Sequence, residues 1–98
     1  METPTLFEWD EVKAARNLAK HGADFDIVGL VFSDPDRVDA DVCRHQHGES
    51  RRKVIGAVGD RLFTAIYTMR GANCRMISVR RANTKEGRLY GDHSQDDG

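Results

Sequence analysis

Between Val54 and Val79, three runs rich in β-branched and aromatic residues are separated by two turn signals, and this pattern restricts the fold most. Val54-Ile55-Gly56-Ala57-Val58, Leu62–Met69 and Cys74–Val79 each read as a strand, because such side chains suit a pleated, half-buried surface. Gly59-Asp60-Arg61 and Gly71-Ala72-Asn73 supply the residues that tight turns require. The result is an antiparallel meander. A more polar strand is expected at Arg37–Val42, followed by a loop over Cys43–Ser50.

Upstream, the periodicity is helical. Asp10 is a good N-cap, Glu11 suits the positive end of the helix dipole, and Gly22 is a natural stop. Val12, Ala15, Leu18 and Ala19 recur at spacings of three and four, which predicts that they share one apolar face of an amphipathic helix. Phe7 or Trp9 would staple the start of this helix. Lys13, Arg16, Lys20 and His21 are left to the other face and the C-terminal end. A second helix is expected from Asp24 through Phe25, Val28, Leu30, Val31 and Phe32, ended by Ser33-Asp34-Pro35-Asp36. Gly29 weakens it by about 1 kcal/mol. Asn83 with Glu86 three residues later forms a capping box for a short final helix reaching Tyr90.

The expected fold class is therefore α+β: two N-terminal helices, a three- to four-stranded antiparallel sheet and a short C-terminal helix. With the helices grouped on one side, the other sheet face is free to bind. A chain of 98 residues supports one domain, here about residues 6–90, with 91–98 as a frayed tail.

The net charge of −1 conceals a strong asymmetry. Residues 1–50 carry five Lys and Arg against eleven Asp and Glu, whereas residues 51–90 carry ten against two. Such a division suits contact between the second half and a polyanion; charge pairing across the fold is the alternative. No run approaches the apolar length of a membrane span, and the opening Met1-Glu2-Thr3-Pro4 lacks a signal pattern, so a cytoplasmic location is expected. In that reducing compartment Cys43 and Cys74 are expected as free thiols.

Several short motifs then occur in order. Phe7-Glu8-Trp9-Asp10, Lys13, Asn17, Lys20-His21-Gly22, Phe25 and Val31-Phe32-Ser33-Asp34-Pro35 come first. Gly48-Glu49 with Arg51, Gly56, Tyr67, Arg75-Met76-Ile77-Ser78, Arg80-Arg81-Ala82, Glu86 and Tyr90 follow. Together, over about Leu6 to Tyr90, they resemble the BrnT family of toxins, with departures at Gly29, Val79 and Gly87. The resemblance implies a RelE-like sheet and metal-independent ribonuclease activity that blocks translation. It also implies a ribbon-helix-helix antitoxin of the BrnA kind as partner, with operator DNA reached only through the antitoxin complex.

The residues themselves suit that chemistry. When a ribose 2′-OH attacks the adjacent phosphate without a metal, a base, an acid and cations for the phosphorane charge are needed. Arg51, Arg52, Arg75, Arg80 and Arg81 offer planar donors matched to phosphate oxygens. Arg80 and Arg81 are adjacent on a strand and must face opposite ways. Ile77 and Val79 share parity with Arg81, which predicts that Arg81 faces the helices and Arg80 the open face. Arg80→Ala is then expected to abolish cleavage with little loss of stability.

His21, at a helix C-terminus where the dipole favours its protonated form, is a candidate acid or simply a cap. Lys20 is a further candidate beside it. Glu49 is a candidate base, or a positioner for the arginines. Tyr67 and Tyr90 are candidates for base stacking or phosphate contact, with a core position the alternative for Tyr67. The catalytic set is thus Arg80, Arg51, Glu49, His21 and Lys20, and the RNA-binding set Arg52, Arg75, Arg81, Tyr67 and Tyr90. Cys43-x-His45-x-His47 offers zinc ligands but lacks a fourth at suitable spacing, so no metal and no cofactor is assigned. A non-catalytic nucleic-acid- or protein-binding module of the same fold is the competing reading.

Overall fold

The computed structural model describes residues 6–46 and 49–95, with side chains described for 6–40 and 51–91. The order is β1 (Leu6–Glu8), α1 (Glu11–His21), a single 3-10 turn (Phe25–Ile27) and α2 (Val28–Ser33), followed by four strands and a helix. These are β2 (Val38–Gln46), β3 (Glu49–Val58), β4 (Arg61–Arg70), β5 (Asn73–Arg81) and α3 (Thr84–Gln95). The fold is α+β, with five strands in the order β1-β5-β4-β3-β2.

The meander forms as its turn residues require, with Gly59 and Gly71 at φ of 65° and 61°. Several expectations need correction. The sheet is mixed, because Phe7-Glu8 does not merely staple α1: Leu6–Glu8 pairs in parallel with Asn73–Arg75. Phe7 thereby reaches Phe32 at 5.6 Å between ring centroids, which draws this short segment onto the sheet edge. The polar stretch expected as a loop is part of a long hairpin, β2 with β3, its register shifting between Val42 and Gln46. The second helix begins only at Val28, after Asp24 has capped the 3-10 turn by accepting from the Asp26 amide at 3.1 Å.

The core lies between the sheet and the layer of α1 and α2. Phe25, Val28, Val31 and Phe32 meet Val54, Ala65, Tyr67, Cys74, Met76 and Val79 there. Val31 approaches β3 so closely that a Cβ on Gly56 would lie 2.6 Å from its carbonyl oxygen, so that position admits only glycine without backbone movement.

The helices are not all on this side. Thr64 adjoins core-facing Ala65 on β4 and so faces away from α1 and α2, yet its hydroxyl donates to Glu86 on α3 at 2.9 Å. Thus α3 roofs one end of the sheet's outer face, burying Ile55 and Thr64 beneath it. Tyr90 anchors its far half by donating to Asp34 at 2.7 Å, and Asp34 also accepts from the Asp36 and Ala57 amides. Burial pushes the Asp34 carboxyl upward, but these donors outweigh it and hold it below the usual carboxylate value.

The largest departure concerns α1. Its caps are as expected: the Asp10 side chain accepts from Val12 and Lys13, and Gly22 takes the left-handed conformation at φ 66°. Its buried side, however, is Ala14, Asn17 and His21, whereas Val12, Ala15, Leu18 and Ala19 are exposed. Asn17 explains the rotation. Its side-chain amide donates to the Val79 carbonyl at 2.7 Å and accepts from the Val79 amide at 3.1 Å, as a neighbouring strand would. It also donates to the Ala23 carbonyl at 2.9 Å. Since β1 pairs only with residues 73–75, the rest of that β5 edge needs such a partner.

Candidate nucleic-acid interface

Strand alternation and register assign residues to the outer face. A bulge between Ile66 and Tyr67 accommodates an extra residue on β5, so that Met76 and Val79 both face the core. The parity that grouped Ile77 with Val79 is therefore broken. Arg80 stands on the outer face opposite Thr64, and Arg81 on the other side, exposed at the strand's end.

Three rungs of the outer face are defined. Ile55–Thr64–Arg80 lies beneath α3. Lys53–Ile66–Ser78 comes next, and Thr68–Arg75 beyond it. Arg51 shares parity with Lys53 and Ile55 on β3, which brings it to this face as well.

Under α3 the Glu86 carboxylate is fully committed. Glu86, 2% exposed, accepts from Arg80 through both carboxylate oxygens at 2.7 and 2.9 Å, from Thr64, and from the Asn83 amide at 3.0 Å. Asn83 in turn caps the Glu86 amide at 2.8 Å, which completes the expected capping box, and Lys53 Nζ lies 3.5 Å from the carboxylate. Burial alone would push Glu86 upward, but the Arg80, Asn83 and Thr64 hydrogen bonds outweigh it and bring it down to about 2. So acidic a carboxyl is a poor proton acceptor at neutral pH, and its role is to hold Arg80. Arg80 keeps its Nε–H and one Nη2–H beyond its bonds to Glu86 and the Arg81 carbonyl.

The next rung is open. Lys53 lines a cavity of about 340 Å³ with Asn83, Lys85, Glu86, Arg88 and Leu89 of the α3 segment. At its other end, Ser78 lines an edge pocket of about 210 Å³ with Lys13, Arg16, Asn17, Lys20, His21 and Ile77. Cations thus flank the Lys53–Ile66–Ser78 rung at both ends, Lys53, Lys85 and Arg88 towards α3 and Lys13, Arg16 and Lys20 on the flank of α1, and together they mark a cationic row. The sheet portion spans about 10 Å from β3 to β5. Among the described residues, Lys13, Arg16 and Lys20 make no ion pair. The Arg51 Nε–H is buried without an acceptor among them. Arg75 completes this face, 3.7 Å from Glu8.

The remaining sequence candidates are elsewhere. Arg52 is on the core face, where it donates to Asp39 at 2.9 Å. Tyr67, 2% exposed, donates its hydroxyl to the same carboxylate and packs edge-on against Phe32, so it cannot stack on a base. Burial and Asp39 push its hydroxyl pKa upward. Tyr90 is committed to Asp34, which together with burial raises its hydroxyl to about 12. Cys74 is a free, buried thiol, pushed up to about 12 by burial and by Asp39 and Glu8. Glu49 begins β3 opposite Gln46, and its side chain is outside those described. The same holds for Cys43 and His45 on β2, while His47 lies outside the described residues. Sequence reasoning missed Lys53, Lys85 and Arg88; alternation from Arg51 to Lys53 was the available signal for the first.

No helix among the described residues is long and apolar enough to cross a membrane. No curated protein sequence matches the chain. A family model described as the ribonuclease toxin, BrnT, of a type II toxin–antitoxin system matches residues 9–86, from Trp9 beside α1 to the Glu86 that secures Arg80. With most of its length covered by that match, the chain belongs to the BrnT family of ribonuclease toxins.

Proposed function

We propose that the chain is a RelE-like endoribonuclease toxin that cuts RNA in the cytoplasm without a metal and so blocks translation. A cognate antitoxin, of the BrnA-like ribbon-helix-helix type, neutralises it, and operator DNA is contacted only through their complex. The observation that carries this reading is the cationic row from Lys53 to the α1 flank, ending at His21. RNA lies across this row, where Lys53, Arg51, Arg75 and the accessible donors of Arg80 hold phosphates. His21 gives a proton to the departing 5′ oxygen, with Lys20 beside it stabilising negative charge. Glu49 begins β3 about 13 Å from Lys53 and two strands from β5, too far from His21 to serve the same phosphodiester, so it positions the arginines and the proton of the attacking 2′-OH passes to water. The products are a 2′,3′-cyclic phosphate and a 5′-hydroxyl end. Arg52, Tyr67 and Tyr90 support the fold instead, and Arg81 serves at most the periphery.

One observation favours the rival, a module that docks RNA without cutting it. Glu86, the best-defined carboxylate of the outer face, is too acidic and too committed to act as a base. The two readings separate when purified, antitoxin-free protein is incubated with total RNA in EDTA. Cleavage with cyclic-phosphate ends is expected. RNA retention without cleavage would establish the rival, and activity lost in EDTA but restored by zinc or magnesium would shift attention to Cys43, His45 and His47.

A further inference from the structure

The exposed apolar stripe of α1 is the feature that neither the core nor the cationic row uses. Val12 is 60% and Leu18 47% exposed, with Ala15 and Ala19 beside them. A helix that turns its best apolar side to solvent is unusual unless something covers it. Next to this stripe is a groove of about 380 Å³. Trp9, Ala14, Ala15 and Leu18 form its apolar walls, and Glu11, Asp24 and Asp26 its rim. Trp9 is itself held edge-on against buried Phe25, so this wall is braced from within. The rim has no basic residue, whereas Lys13, Arg16 and Lys20 line the pocket on the opposite flank of the same helix.

We infer that this groove is the docking site for the antitoxin, which enters it with a bulky apolar side chain flanked by lysine or arginine. The partner is fixed by chemistry. An apolar floor calls for an apolar anchor, and three carboxylates around it repel nucleic acid and favour a basic segment. That an antitoxin exists follows from membership of a type II toxin–antitoxin family. Only the consequence for cleavage rests on the RNA reading. Since α1 is about 10–12 Å across with its side chains, a segment seated on the acidic flank lies within reach of the basic one. One helix would thus carry substrate on one side and inhibitor on the other.

The test is calorimetric titration of this chain with the purified antitoxin encoded beside it, with cleavage assayed on each variant alone. Leu18→Glu should weaken binding at least about 30-fold, the loss typical of a central apolar anchor. Glu11→Lys/Asp26→Lys should weaken binding about tenfold, because reversing the steering charge slows association while dissociation is little changed. Leu30→Glu alters another exposed leucine outside the groove and should leave affinity within about threefold of wild type. Cleavage without antitoxin should be unaffected by all three. Unchanged affinity in Leu18→Glu overturns the proposal. So does a wild-type dimer that Leu18→Glu dissociates, since the occupant is then a second copy. Absence of cleavage from every protein counts against the RNA reading alone and leaves the binding comparison decisive.

Discussion

Glu86→Ala should lower the stability of the fold by about 3–5 kcal/mol, the usual result of removing one partner from a buried charge cluster. For a domain near one hundred residues, that corresponds to a fall in melting temperature of at least about 12 °C. The substitution leaves Arg80 without its bidentate acceptor, Lys53 without its anion, and the Thr64 hydroxyl and Asn83 amide without their acceptor. It also removes half of the capping box that starts α3. Arg80→Ala should be destabilising as well, because Glu86 stays buried without its strongest partner. The expectation that Arg80→Ala costs little stability is thereby revised, while loss of cleavage is still expected. The double variant should lose less than the sum of the singles, since their effects share one interaction. Acid should act like the substitution. Glu86 binds its proton less tightly in the folded chain, at about 2, than at the ordinary 4.5. Its contribution is therefore complete above about pH 4.5 and lost as pH falls towards 2, amounting to roughly 3 kcal/mol. Thermal melts of the four proteins from pH 7 to pH 3 check both parts; the gap between wild type and Glu86→Ala should narrow in acid, to roughly half its neutral value or less at pH 3.

Asn17→Ala should cost about 2–4 kcal/mol and reduce cleavage more than the stability loss explains. Two polar groups of Val79, at a buried position on the β5 edge, lose their partners, and each such loss typically costs about 1–3 kcal/mol. The Ala23 carbonyl loses one too. Asn17 also fixes how α1 is turned. Without it, the apolar stripe of Val12, Ala15, Leu18 and Ala19 competes for the core, and rotation carries Lys13, Arg16 and Lys20 away from Ser78. Asn17→Asp preserves the acceptor for the Val79 amide but not the donor for its carbonyl, and should be intermediate at best. Denaturant unfolding and single-turnover cleavage, measured below the melting temperature of each variant, separate stability from positioning.

That rotation also shows where the sequence misleads. Apolar spacing in α1 identified a real stripe, but spacing cannot tell whether a protein core or a partner covers it. Asn17 carries the missing information, and an isolated polar residue on a helix gives no sign that it will complete a strand edge. The meander was legible because its β-rich runs are separated by glycine turns; the extension of β2 to Gln46 and of β3 back to Glu49 was not, because those residues are polar. Parity along β5 failed at Ile77, where the bulge inserts one residue and exchanges the faces beyond it. The capping box of Asn83 and Glu86 was readable locally. Its bond to Arg80 required knowing that α3 folds over the outer face.

Equilibrium binding of a labelled single-stranded RNA, followed by anisotropy over a range of salt concentrations, tests the cationic row most directly. The comparison is between Arg16→Glu/Lys20→Glu and Arg61→Glu/Arg81→Glu, which alter charge equally at exposed positions. Arg61 and Arg81 lie off the outer face, at the sheet end beside Phe63, whereas Arg16 and Lys20 line the edge pocket. The first pair should weaken binding at least about tenfold, since hydrogen bonds to charged groups contribute about 1.5–3 kcal/mol each. Its salt slope should fall by about 1.4, because two phosphates of a single strand are no longer neutralised. The second pair should stay within about twofold of wild type. Equal losses in both pairs, or a greater loss in the second, would contradict an RNA path along α1 and the Lys53–Ile66–Ser78 rung.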